Sequence, residues 1–184
     1  DAHRAWPCLD QPDVKPTWTF HVVAPEGWTL TSNGAASALV PLPGATGLVR
    51  HDFATTPPLS AYITALVAGQ WAVVDGGVWE GGASGPGADG RRVEVPLRLM
   101  CRQALAPSMD AEDILEVTRA GLDHYHRHYG TTYPWGTYDQ VFVPEYNLGA
   151  MENPGCVTVT EDYLSRYTPT FAERQARANT ILHE

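Results

Sequence analysis

The sequence predicts a mixed β and α+β architecture, with the end of a β-rich domain followed by the start of a domain that adds helices. Three observations lead there. Apolar and polar residues alternate in short runs through the first hundred positions. Seventeen glycines and fifteen prolines favour turns and short strands over a helical bundle. Helical spacing with capping residues emerges only after Pro107 and again after Thr168.

Taken in order, "TWTFHVVAP" sets Trp18, Phe20 and Val22 on one side of a half-buried strand. "GWTLTSNGAASALV" follows, with Ser32-Asn33-Gly34 placed to turn the chain between two strands. "TGLVRHDFA" is a further short strand, and "SAYITALVAGQWAVV" a longer one rich in β-branched and aromatic residues. "DGGVWEGGASGPGADGRR" holds seven glycines in eighteen residues, which predicts a loop with little to bury. The strand "RVEVPLRLMCR" comes next, so the domain boundary is expected near Arg92 to Pro96, giving domains at 1–94 and 95–184. Ser108 is placed to cap a helix that carries Ile114, Val117, Leu122 and Tyr125 at apolar positions and ends at Gly130. "YDQVFVPEY" and "GCVTVTEDYL" read as strands. The last helix starts at Thr168 or Thr170, with Thr170 and Glu173 matching a capping box and Phe171, Ala178 and Leu182 forming one stripe.

Hydrophobic residues at 43% and charged residues at 18% provide material for a core, and a net charge of −9 excludes a basic nucleic-acid surface. No apolar run reaches the ~18 residues of a membrane-spanning helix. Cys8, Cys101 and Cys156 are odd in number and widely spaced, which fits reduced thiols and a cytoplasmic location. "DAHRAWPCLDQPD" is neither a signal peptide nor a Met start, so both ends are expected to be cut from something longer.

Three stretches carry chemical signals. "NTILHE" ends on His183 and Glu184, the first two letters of the helical H-E-x-x-H pattern in which two imidazoles one turn apart hold zinc and a carboxylate flanks the bound water. "HYHRHYG" places His124 and His128 four apart, yet no carboxylate or cysteine nearby completes a site, and polar residues near a helix C-terminus explain them as well. In "NLGAMENPG", Gly149 permits close backbone approach, Ala150 and Met151 are small or adaptable, and Glu152 can capture a cationic group from a loop at the rim of a cleft. A solvated glutamate in an ordinary turn is the alternative reading of Glu152.

"GAMEN" at Gly149 to Asn153, followed some thirty residues later by His-Glu on a helix, resembles the aminopeptidase N family of zinc metallopeptidases, in its actinobacterial form. "PCLDQPDVKPTWTF", "TSNG", "YITALVAGQW", "YPWGTYDQVFVPEYNLGAMENPGCVT" and "ANTILHE" are also similar to that family in order and spacing, with Leu9 where an aromatic is common. The resemblance implies the end of a β-rich N-terminal domain and the opening of a thermolysin-like catalytic domain. It implies His183 as a zinc ligand, Glu184 as general base, Glu152 as the anchor of the substrate's free α-amine, and Gly149, Ala150, Met151 and Asn153 as further substrate-binding residues. The implied partners are peptides with a free N-terminus and the remainder of the parent chain, with no nucleic acid and no membrane. The implied cofactor is one Zn2+ per complete protein. The family's other zinc ligands, its transition-state tyrosine and its remaining amine-binding residues have no counterpart among the 184 residues, so these residues alone are expected neither to hold zinc tightly nor to cleave peptides. Alternative readings are a non-catalytic scaffold, an endopeptidase, or a relative with epoxide hydrolase activity; the last carries a second glycine where Ala150 stands.

Overall fold

A computed structural model describes residues 2–82 and 90–184. Its ten strands, among the described residues, form three sheets. β1 (His21–Pro25), β3 (Ala36–Pro41) and β4 (Leu48–Phe53) make an antiparallel sheet in the order β1-β4-β3, and β2 (Thr29–Ser32) pairs antiparallel with β5 (Leu66–Gly69). The alternation read from 17–25 is kept, since Trp18, Phe20 and Val22 are half-buried while their neighbours Thr17, Thr19, His21 and Val23 are exposed. Phe20 and Val22 pack on a small core of Ala24, Leu30 and Phe53 between the two sheets.

The third sheet carries the rest of the molecule. β6 (Trp71–Gly82), β7 (Arg92–Arg102), β8 (Tyr138–Val143), β9 (Ala150–Met151) and β10 (Cys156–Thr160) stand in the order β6-β7-β8-β10-β9. β7, β8 and β10 run parallel to one another, and the flanking β6 and β9 run antiparallel. Period-2 patterning gives β7 two destinations. Val95, Leu97, Leu99 and Cys101 join the main core beneath the helices, while Met100 faces a second cluster with Ala65, Val141 and Cys156. Both faces of the central strands are therefore covered, as parallel strands require. The division expected at 94/95 falls within β7, and β6 lies beside β7 in the same sheet.

Two helices cover one face. α1 (Ala111–Tyr129) turns Ile114, Leu115 and Leu122 inward and ends at Gly130 in the left-handed conformation. Its N-cap is Asp110 rather than Ser108, because a 3-10 turn at Gln103–Ser108 takes up the residues before it. Tyr125, expected inside, is 38% exposed, and His126 takes the inward position instead. α2 (Phe171–His183) has Thr170 as N-cap with the complete capping box to Glu173. The expected stripe is rotated: Phe171 is 81% exposed, and Arg177 and Ile181 are the buried residues. Since the cap satisfies the first amides of a short, mostly polar helix, Thr170→Ala is expected to cost about 1 kcal/mol, read as a lower urea midpoint; an unchanged midpoint would show that packing alone fixes this end.

The glycine-rich stretch is corrected most. Residues 76–82 belong to β6, paired with β7 and holding Trp79 at 5% exposure in the main core; residues 83–89 lie outside the described ones. Gly77 sits at φ +67 beside a register shift between Asp75 and Val78, so it serves a bulge rather than a loop. "SAYITALVAGQWAVV" is likewise two strands, β5 and β6, in different sheets. Ser32-Asn33-Gly34 joins β2 and β3, which pair with different partners and form no hairpin. No helix among the described residues is long and apolar enough to cross a membrane.

Candidate active site

The site is assembled from the end of α2 and the outer edge of the mixed sheet. α2 is aimed by Arg177. That guanidinium, 3% exposed, donates to Asp110 Oδ2 at 2.9 Å and Asp113 Oδ2 at 2.6 Å, which ties the helix to the start of α1. Near the other end, the Tyr163 hydroxyl meets Thr180 Oγ1 at 2.8 Å and the Tyr125 hydroxyl donates to the Leu182 carbonyl at 2.6 Å. His183 and Glu184 follow, the first exposed and the second half-buried.

Glu184 borders a mostly apolar cavity of about 400 Å³ with Tyr138, Leu122 and Ile181. Its Oε2 is buried with no hydrogen-bond partner. Burial pushes its carboxyl above the ordinary value; the charge of Glu152 adds to this, and His183 partly offsets it. Glu152 thus acts on Glu184 although 32 positions separate them in sequence. Glu152 itself is exposed, just past the end of β9.

β9 is the last strand of its sheet. Gly149 O accepts from Thr160 N at 2.8 Å, and Ala150 and Met151 stand opposite Val159 and Thr158. Bonded pairs alternate along an antiparallel ladder. With Gly149 bonded to β10, the amide and carbonyl of Ala150 point to the open edge. Met151 is half-buried and borders a separate cavity of about 440 Å³ with Leu148, Tyr146 and Trp6. Asn153 is turned inward. It is 5% exposed, its Nδ2 donates to Thr158 Oγ1 at 3.1 Å, and its carbonyl accepts from Cys156 N. The structure therefore joins the end of α2 to the Gly149 end of β9 through Tyr163, lets the charge of Glu152 reach Glu184, and spends the Asn153 side chain on holding the loop.

Among the described residues, no group of three or more His, Cys, Asp or Glu side chains is placed to hold a metal ion. The imidazole of His183 beside the half-buried Glu184 carboxylate has the donor chemistry of one zinc ligand and a neighbouring base, but one ligand does not close a site. His124 and His128 stack on each other with ring centroids 5.6 Å apart. The buried histidine of that run is His126, whose Nδ1–H donates to Leu122 O at 2.8 Å and whose Nε2 accepts from Tyr133 N at 2.9 Å, a structural role. Tyr163, Thr180 and Arg177 were invisible as site-building residues in the sequence.

Comparison with known proteins adds the following. The model of the peptidase family M1 domain matches residues 114–184, and that of the peptidase M1 N-terminal domain matches residues 1–63. Aminopeptidase N of Streptomyces lividans is 44% identical over 184 residues, all of this chain and 20% of that protein. Aminopeptidase Ey of Gallus gallus is 32% identical over 189 residues, and aminopeptidase N of Oryctolagus cuniculus 30% identical over 186, in each case all of this chain and 18% of the relative. The chain spans about a fifth of the length of the curated relatives it matches.

Proposed function

The chain belongs to peptidase family M1, and on that premise we propose that it supplies one wall of a zinc aminopeptidase site, which removes the N-terminal residue from peptides in the complete protein. The carrying observation is that the Tyr163 hydroxyl stands between the two elements, 2.8 Å from Thr180 Oγ1 on α2 and 3.7 Å from where a Cβ of Gly149 would lie, while the charge of Glu152 disfavours ionisation of Glu184 at the helix end.

Each residue has a task that its surroundings permit. The open edge of β9 offers the Ala150 amide and carbonyl to an extended peptide backbone. Glu152 then binds the α-ammonium, so only a chain with a free N-terminus is held in register. His183 is one of the residues that would hold zinc. Zinc, when bound, supplies a Lewis acid that polarises the scissile carbonyl and lowers the pKa of water. Glu184 takes the proton from that water on its carboxylate and gives it to the leaving amine. A carboxylate whose pKa is raised by burial and a like charge lies closer to the working pH, which suits a base that must also act as an acid.

Glu152→Gln tests the anchor. In the complete protein kcat/KM for aminoacyl substrates is expected to fall by the equivalent of about 1.5–3 kcal/mol, the scale of a hydrogen bond to a charged group. Glu152 is exposed, so Tm should hardly move. A variant with unchanged kcat/KM would reject the assignment.

A further inference from the structure

We propose that Asn33 is a positioning residue for the amine anchor, acting through the loop that carries Glu152; the inference rests on the aminopeptidase reading of that loop. Asn33 follows β2, some 120 positions before the loop, and is 1% exposed. Its amide group is fully used. Oδ1 accepts from Ala65 N at 2.7 Å, while Nδ2 donates to Ile63 O at 3.0 Å and to Pro154 O at 2.9 Å. Pro154 is two residues past Glu152. The next residue presses on Asn33 from the same side: Gly155 sits at φ +75, and a Cβ there would stand 2.7 Å from the Asn33 carbonyl oxygen. Only glycine fits that contact.

The loop is therefore fastened at both ends, at Gly149 to Thr160 of the mixed sheet and at Pro154 to Asn33. Asn33 is itself on a fixed base. Thr31 Oγ1 donates to the buried Asp139 Oδ2 at 2.5 Å, and Ser32 Oγ donates to Ala65 O at 2.8 Å. Between the two fastenings Asn153 turns inward to Thr158 and Glu152 is left outward. The position of the anchoring carboxylate is set by a residue that does not touch the site. Losing the Nδ2 bond frees the Pro154 end of the loop and lets Glu152 drift from the point where an α-ammonium must meet it.

The test uses the complete protein and two ligands, an amino-acid amide and its des-amino counterpart, measured by calorimetry beside kcat and KM for an aminoacyl chromogenic substrate. For Asn33→Ala, KM and the Kd of the amino-acid amide are expected to rise about tenfold, the equivalent of one hydrogen bond, with the des-amino amide and kcat little changed. Asn33→Ala combined with Glu152→Gln should bind the amino-acid amide no more weakly than Glu152→Gln alone, because both act on one contact. Gly155→Ala moves the loop from the other side without removing a bond of Asn33, and should reproduce the loss of amine affinity; it decides the matter if Asn33→Ala does not fold. A lower Tm with unchanged amine affinity in the variants that fold would overturn the proposal. A wild-type protein that cleaves no aminoacyl substrate and binds both amides equally would overturn the aminopeptidase reading, and this inference with it.

Discussion

Glu184→Gln is expected to lower kcat of the complete protein by about 10²–10⁴-fold, the range for removal of a general base, while KM for aminoacyl substrates stays close to wild type. Gln keeps the shape of the side chain and removes the only group at this position that can take a proton. Oε2 has no partner to lose, so Tm should not fall. A Glu184→Gln variant within tenfold of wild-type kcat would place the base elsewhere.

Asp139→Ala is the substitution expected to cost most stability, about 3–5 kcal/mol, the scale for leaving one partner of a buried pair alone. Asp139 is 0% exposed on β8. It accepts from Arg98 Nε at 2.9 Å, from Arg98 Nη2, and from Thr31 Oγ1 at 2.5 Å. Its carboxylate holds the Arg98 guanidinium proton more tightly than usual. Without it, a guanidinium two-thirds out of solvent loses both of its bonds to a carboxylate, and Thr31 loses its acceptor, loosening β2 from the mixed sheet. A folded domain has only about 5–15 kcal/mol in hand, so the loss should be plain in urea unfolding. Replacing Arg98 and Asp139 together by apolar residues of similar volume should cost much less than Asp139→Ala alone. A single variant losing under about 1 kcal/mol would mean that Arg98 finds water or another acceptor.

Elements held by local signals were legible in the sequence. The run from Arg92 to Arg102 was legible as the strand that became β7, and the Thr170–Glu173 capping box gave α2 its start. What failed was any inference that treats a residue only by its neighbours in sequence. Glycine content argued for a loop through 76–82, yet those residues bond to β7 and bury Trp79, and long-range pairing outweighs local propensity. Ser32-Asn33-Gly34 has turn chemistry, but the partner of Asn33 lies at Pro154, which no local pattern reveals. The groups proposed for the site, His183, Glu184 and Glu152, were singled out through motif resemblance; their spacing in the chain says nothing of the charge that Glu152 exerts on Glu184. Asn153 belongs to the same motif as Glu152, and only the fold shows that its side chain turns inward to Thr158.

β9 is two residues long. An unpaired edge is a template on which foreign chains can grow a sheet, and proteins limit this hazard by keeping such edges short and charged. Here the exposed template amounts to the backbone of Ala150, closed off on its C-terminal side by a carboxylate and an inward-turned asparagine. A second protein molecule would find too little ladder to join, whereas a single peptide terminus needs no more than that. The shortness of this strand keeps an accessible sheet edge from becoming a seed for aggregation.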